Sequence, residues 1–107
     1  MLFRSPTSAN QEDHVSMGTT SARQCAMILE NATWVIAIEL LNAAEALDFH
    51  QPILPGPGVG AARDAVRVVV PPLEGDRMLT PDLEAVRVLM RDGTLRINVE
   101  RAIGALV

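Results

Sequence analysis

The sequence has no tyrosine and no lysine, a single cysteine, and only three aromatic residues, Phe3, Trp34 and Phe49. With so few rings, a core must be assembled from Ala, Val, Leu, Ile and Met, and the abundance of Ala and Leu favours helices. All nine basic residues are arginines, none of them clustered, and the net charge is −4. That balance argues against nucleic acid and against an anionic membrane surface as partners. One cysteine, Cys25, excludes an internal disulfide and suits a reducing, cytoplasmic compartment. No apolar stretch follows Met1–Arg4, so nothing there reads as a secretory signal.

What is present suffices for one small domain. The chain has 107 residues, 49% of them hydrophobic, which is too apolar for a disordered segment. Residues 1–14 read as a loop. From Ser21 to Leu47 the pattern is firmly helical, and Asp13 or Ser16 offers an N-terminal cap, which predicts a helix over about 16–47. At 1.5 Å per residue it would span on the order of 48 Å.

Within residues 32–47, Glu39, Asn42 and Glu45 recur every three residues as one narrow polar stripe; the rest of the circumference is apolar. These polar residues also argue against a membrane span, which needs roughly 20 mostly apolar positions. A helix apolar nearly all round has to be buried nearly all round. A lone chain of this size has too few elements to surround it, so neighbours are expected: other subunits, the rest of a larger protein, or both.

Pro52, Pro55, Gly56, Pro57, Gly58 and Gly60 predict a loop. A shorter helix follows over about 60–70, with Ala61, Ala62, Ala65, Val66 and Val69 on one side, ended by Pro71-Pro72. Thr80-Pro81-Asp82 is a helix start, with Thr80 as cap and Pro81 in the first helical position. Leu83, Val86 and Met90 form the buried stripe of that helix, widened by Val88 and Leu89. Gly93 falls where a C-terminal cap glycine belongs. Thr94 is expected to cap a last helix whose Leu95, Val99, Ile103 and Leu106 share a face. The fold class is therefore all-α: one long buried helix and three shorter helices.

The densest chemistry is near the start. Residues 8–17, SANQEDHVSM, place Asn10, Gln11, Glu12, Asp13 and His14 side by side, just before the long helix. A helix N-terminus favours anionic groups. Glu12 could act as a general acid/base or accept a hydrogen bond from an N–H-bearing ligand. Gln11 offers both a donor and acceptors. From the residues alone, the simpler account is a solvated loop whose Asp13 caps a helix. Elsewhere the signals are weaker. His14 and His50 lack the spacing of a metal site, so no metal is expected. Residues 56–60 contain Pro57 and do not form a phosphate loop. Cys25 reads as a small core residue, Trp34 as packing, and Asp76-Arg77 as a local ion pair.

The run 8–18, SANQEDHVSMG, resembles the corresponding motif of the aromatic amino acid ammonia-lyases. Ala37-Ile38-Glu39-Leu40-Leu41, Ala43-Ala44 and Leu47-Asp48-Phe49 support the resemblance, as does the downstream order of Val70, Asp76-Arg77, Pro81-Asp82 and Gly93. The histidine ammonia-lyase branch is the closest in pattern, and the expected position is its C-terminal part. The resemblance implies a helical bundle shared within a homotetramer and active sites built from more than one subunit. It assigns residues 1–14 to an active-site loop, 15–48 to a long bundle helix and 49–107 to short C-terminal helices.

The reaction implied is non-oxidative elimination of ammonia from L-histidine to give urocanate. Glu12 then matches the family's active-site glutamate, engaging the substrate side chain and assisting proton handling; a carboxylate suits an imidazole N–H better than a phenyl ring. Gln11 matches a residue that shapes the pocket, with Asn10, Asp13 and His14 in support. The family's electrophile is a methylidene-imidazolone formed from an internal Ala-Ser-Gly, and its reaction also uses a tyrosine. Neither occurs in this chain. The isolated chain is therefore expected to be inactive, and to work, if at all, as a homo-oligomer or with a complementing N-terminal lyase half. The other expectation is a non-catalytic helical oligomerisation module derived from the same scaffold.

Overall fold

The computed structural model describes residues 17–107, which form four helices and no strand. These are α1 (Gly18–Phe49), α2 (Pro57–Val69), α3 (Thr80–Arg91) and α4 (Thr94–Ile103). The all-α expectation holds. The chain divides into two units, Met1–Glu30 and Asn31–Val107, with the division inside α1. In the first unit every described residue is exposed, including Cys25, Met27, Ile28 and Leu29. Cys25 is thus a surface thiol and not the core residue its apolar neighbours suggested.

The second unit holds the core. Ala37, Leu41 and Ala44 of α1 are buried against Val66 and Val70 from the α2 region and Val86 and Leu89 from α3. Spacings of four and three place the α1 trio on one face. Leu40, Leu83, Ala85, Met90 and Leu95 pack around it, partly buried. The expectation of a helix buried nearly all round is corrected here. Only these three residues of α1 are buried, while Val35, Ile36 and Ile38 stay exposed. The reason is the one that the composition gave: a single chain has too few elements to enclose such a helix.

Among the described residues, α1 is also the one helix long and apolar enough to cross a membrane. Its Glu45, however, is committed to protein partners, accepting the Leu73 N–H at 2.9 Å and pairing with Arg67 at 3.0 Å.

Several boundaries shift for identifiable reasons. α2 begins at Pro57, not near Gly60, because a proline in the first turn gives up an N–H that has no helical partner there. Gly58 lies inside α2, where an added Cβ would sit 3.3 Å from two side-chain carbons of Ile103 in α4. Thr80 is the first residue of α3 and Leu79 the cap, one position from expectation. Gly93 has φ 81°, the left-handed geometry expected of a helix-ending glycine. The Asp92 carboxylate accepts the Thr94 N–H at 2.9 Å and so caps α4 in place of Thr94 itself. Val88 faces solvent, and Leu106 lies beyond the end of α4.

Candidate functional site

The candidate residues Asn10, Gln11, Glu12, Asp13 and His14 lie outside the described residues. Among the described residues, no cluster of His, Cys, Asp and Glu is placed to hold a metal ion. Of residues 56–60, Gly56 caps α2 and residues 57–60 form its first turn. His50 is exposed in the turn after α1. Arg77 pairs not with Asp76 but with Asp82, at 2.8 Å, where the α3 N-terminus also favours the carboxylate.

The strongest electrostatic feature in the described part is a joint between the end of α1 and α2. Arg63 donates from Nε and Nη2 to Asp48 Oδ1, with the Nε contact at 2.6 Å. Arg67 donates from Nε to Asp48 Oδ2 at 2.8 Å, and its Nη2 lies 2.6 Å from that oxygen and 3.0 Å from Glu45 Oε1. The Arg67 Nη1 donates onward to the Val70 carbonyl at 3.2 Å. Two carboxylates thus face two guanidiniums, all four side chains mostly covered. Burial pushes the Asp48 carboxyl up, but the hydrogen bonds and charges of Arg63 and Arg67 prevail and hold it below the usual carboxylate range. The Arg63 guanidinium is raised, first by its bond to Asp48.

This joint was not anticipated as a unit. The signal was available: Glu45 and Asp48 stand three apart on one helix, and Arg63 and Arg67 four apart on another, so each pair shares a face. Both arginines are tied to acids and a carbonyl, which makes the cluster a structural fastening and not a substrate clamp. Among the described residues, the linings of the hollows of about 300 and 340 Å³ bring together no nucleophile–base pair. One of about 300 Å³ is floored by Ala61, Ala65, Val68 and Leu89 and rimmed by Asp64 and Asn98. Asp64 already pairs with Arg63, and the Asn98 amide donates to the Thr94 carbonyl.

The family described as aromatic amino acid lyase matches residues 2–68, well over half of the chain and including the motif at 8–18. The chain belongs to this family. It is similar to the histidine ammonia-lyase of Symbiobacterium thermophilum, with 52% identity over 94% of this chain and 20% of the relative. The histidine ammonia-lyases of Natranaerobius thermophilus (52%) and Gloeobacter violaceus (50%) match over the same shares. The chain therefore spans about a fifth of the length of these lyases. The C-terminal placement expected from the motif is not borne out by these matches. No solved structure matches the chain.

Proposed function

We propose that this chain is a segment of a histidine ammonia-lyase-type enzyme, forming one wall of a pocket in which L-histidine loses ammonia to give urocanate. The observation that carries this reading is identity of about one half to histidine ammonia-lyases along nearly the whole chain. In the proposal, the Glu12 carboxylate accepts a hydrogen bond from the substrate imidazole N–H and takes part in proton handling. Gln11 shapes the polar side of that wall, and Asn10, Asp13 and His14 brace the loop.

The family's electrophile does not fit these 107 residues, because they contain no Ala-Ser-Gly run. That group, and every bond made on it, belongs to residues outside this chain. In the proposal, the chain lies in the cytoplasm, a reducing compartment that a lone thiol suits. Assembly with further lyase chains, as a homotetramer in the proposal, is supported by the exposed Val35, Ile36 and Ile38, which a packed helix would cover. The same exposed residues favour the second reading, a non-catalytic oligomerisation module.

The two readings separate on one experiment. The chain is co-expressed with the remaining part of a histidine ammonia-lyase, and urocanate is followed by its ultraviolet absorbance with L-histidine as substrate. Activity of the mixture, and none from either part alone, is the expected result. A purified stable complex that stays silent would favour the module. Urocanate formed by this chain alone would overturn the assignment of the electrophile to other residues.

A further inference from the structure

The segment 71–79, between α2 and α3, is exposed at every residue, yet it is bounded by the fully buried Val70 and the half-buried Leu83. Met78 is mostly exposed, and Leu73 and Leu79 are only about half covered, so none of them is a fully buried anchor. Pro71 and Pro72 have no N–H to contribute. Besides the Leu79 carbonyl, which accepts the Leu83 N–H at 2.9 Å where α3 begins, two polar fastenings hold it. Near its start, the Leu73 N–H donates to Glu45 Oε1 at 2.9 Å, tying the segment to the polar stripe of α1. Near its end, Arg77 donates from Nη2 to the Pro71 carbonyl at 2.8 Å, from Nη1 to the Pro72 carbonyl at 3.1 Å, and from Nε to Asp82 at 2.8 Å. One guanidinium thus closes the segment on itself and pins it to the first turn of α3.

Beneath it lies a hollow of about 40 Å³ lined by Leu41, Asn42, Glu45, Leu73, Arg77 and Leu79. That volume admits a water or two and no ligand of useful size. The segment is therefore a cover, not a binding site. We propose that residues 71–79 form a latched strap that opens as a unit, with Arg77 as its principal latch, uncovering Leu41 and Glu45 of α1 while α2 and α3 stay folded. A strap with no fully buried apolar side chain belongs to the low-stability end of a structure, where local opening is separable from global unfolding. It also gives Glu45, the last residue of the polar stripe of α1, a role as the acceptor that receives the strap. The inference does not depend on the lyase reading.

Hydrogen exchange at the Leu73 amide and chymotryptic cleavage at Leu73, Met78 and Leu79, measured on the full 107-residue chain, test it. Arg77→Gln should speed both on the order of 10-fold, with exchange inside α2 and α3 changed less than about 2-fold. Arg77→Lys keeps a charge for Asp82 but cannot span two carbonyls as a fork, so it should resemble the Gln variant. Asp82→Asn retains the carbonyl bonds and should give a smaller acceleration; it carries the test if the Arg77 variants fail to fold. An unchanged strap in Arg77→Gln, full protection restored by lysine, equal acceleration throughout α2 and α3, or no effect of Asp82→Asn would each overturn the latch.

Discussion

The guanidinium carbon of Arg87 lies 4.1 Å from the centroid of the Trp34 ring. Arg87 is only 4% exposed, and its Nη1 also bonds both carboxylate oxygens of Glu84, at 3.1 and 3.0 Å. A cation so placed gains from the ring's negative face, more as water is excluded.

Because Trp34 is the sole tryptophan, its fluorescence reports this contact directly. Arg87→Met keeps the volume and removes the charge. It should shift the emission and cost about 1–2 kcal/mol in urea unfolding. A cycle with Trp34→Leu should give a coupling of about 1 kcal/mol. Additive single effects would show that the stacking contributes nothing beyond packing.

The Asp48 joint predicts an acid limb. Its carboxyl titrates below the ordinary value of 3.8 when folded, the two arginines outweighing burial. The folded state therefore binds this proton less readily than the unfolded one. The stabilisation is fully present above the unfolded value and is lost as pH falls through the folded one. Asp92 and Glu100 are lowered too, by bonds first to Thr94 and Arg96, and act with the same sign. Melting temperature followed from neutral pH to about pH 2 should fall steeply below about pH 4. Asp48→Asn should flatten that limb and, at neutral pH, lower stability by about 1–2 kcal/mol, because two covered guanidiniums lose their central acceptor. An unaltered acid limb in Asp48→Asn would place the titration elsewhere.

Gly58 tests how closely α2 and α4 approach. Alanine would relieve a conformational cost of roughly 0.5–1 kcal/mol in a helix, but its Cβ would press on Ile103 at 3.3 Å. Ile103 is half exposed and can move aside. Gly58→Ala should therefore leave the melting temperature within a few degrees of wild type. Gly58→Leu exceeds what Ile103 can yield and should destabilise by about 1–3 kcal/mol. Ile103→Ala should recover part of that loss; no recovery would mean that the clash lies elsewhere.

Local chemistry explains which parts of the fold could be read from the sequence. Helix punctuation was legible where one residue forces the backbone, as Gly93 does at the end of α3. It was less legible at Pro57 and Gly58, since prolines and glycines signal a loop equally well until a neighbour such as Ile103 gives the glycine a reason to be helical. Charge pairing was the least legible. The stripe on α1 was visible, but its partners Arg67 and Leu73 are 22 and 28 residues away from Glu45, and only the fold brings them to it. Cys25 was misread because an apolar helix implies burial only where enough chain exists to cover it. At the candidate site, the residue types at 10–14 pointed to polar chemistry, but only the family resemblance gave Glu12 a role.

That role for Glu12 yields the sharpest functional prediction. In a co-expressed active complex, Glu12→Gln preserves size and hydrogen-bonding capacity but removes the negative charge. If the carboxylate engages an imidazole N–H and handles its proton, kcat/KM for L-histidine should fall on the order of 10²-fold or more. Any weak turnover of L-phenylalanine should fall far less, because a phenyl ring offers the carboxylate no N–H. The comparison is internal to one variant, so a general folding defect would depress both substrates alike. Equal losses would assign Glu12 to the support of the loop, and an unchanged rate for histidine would remove it from the pocket wall.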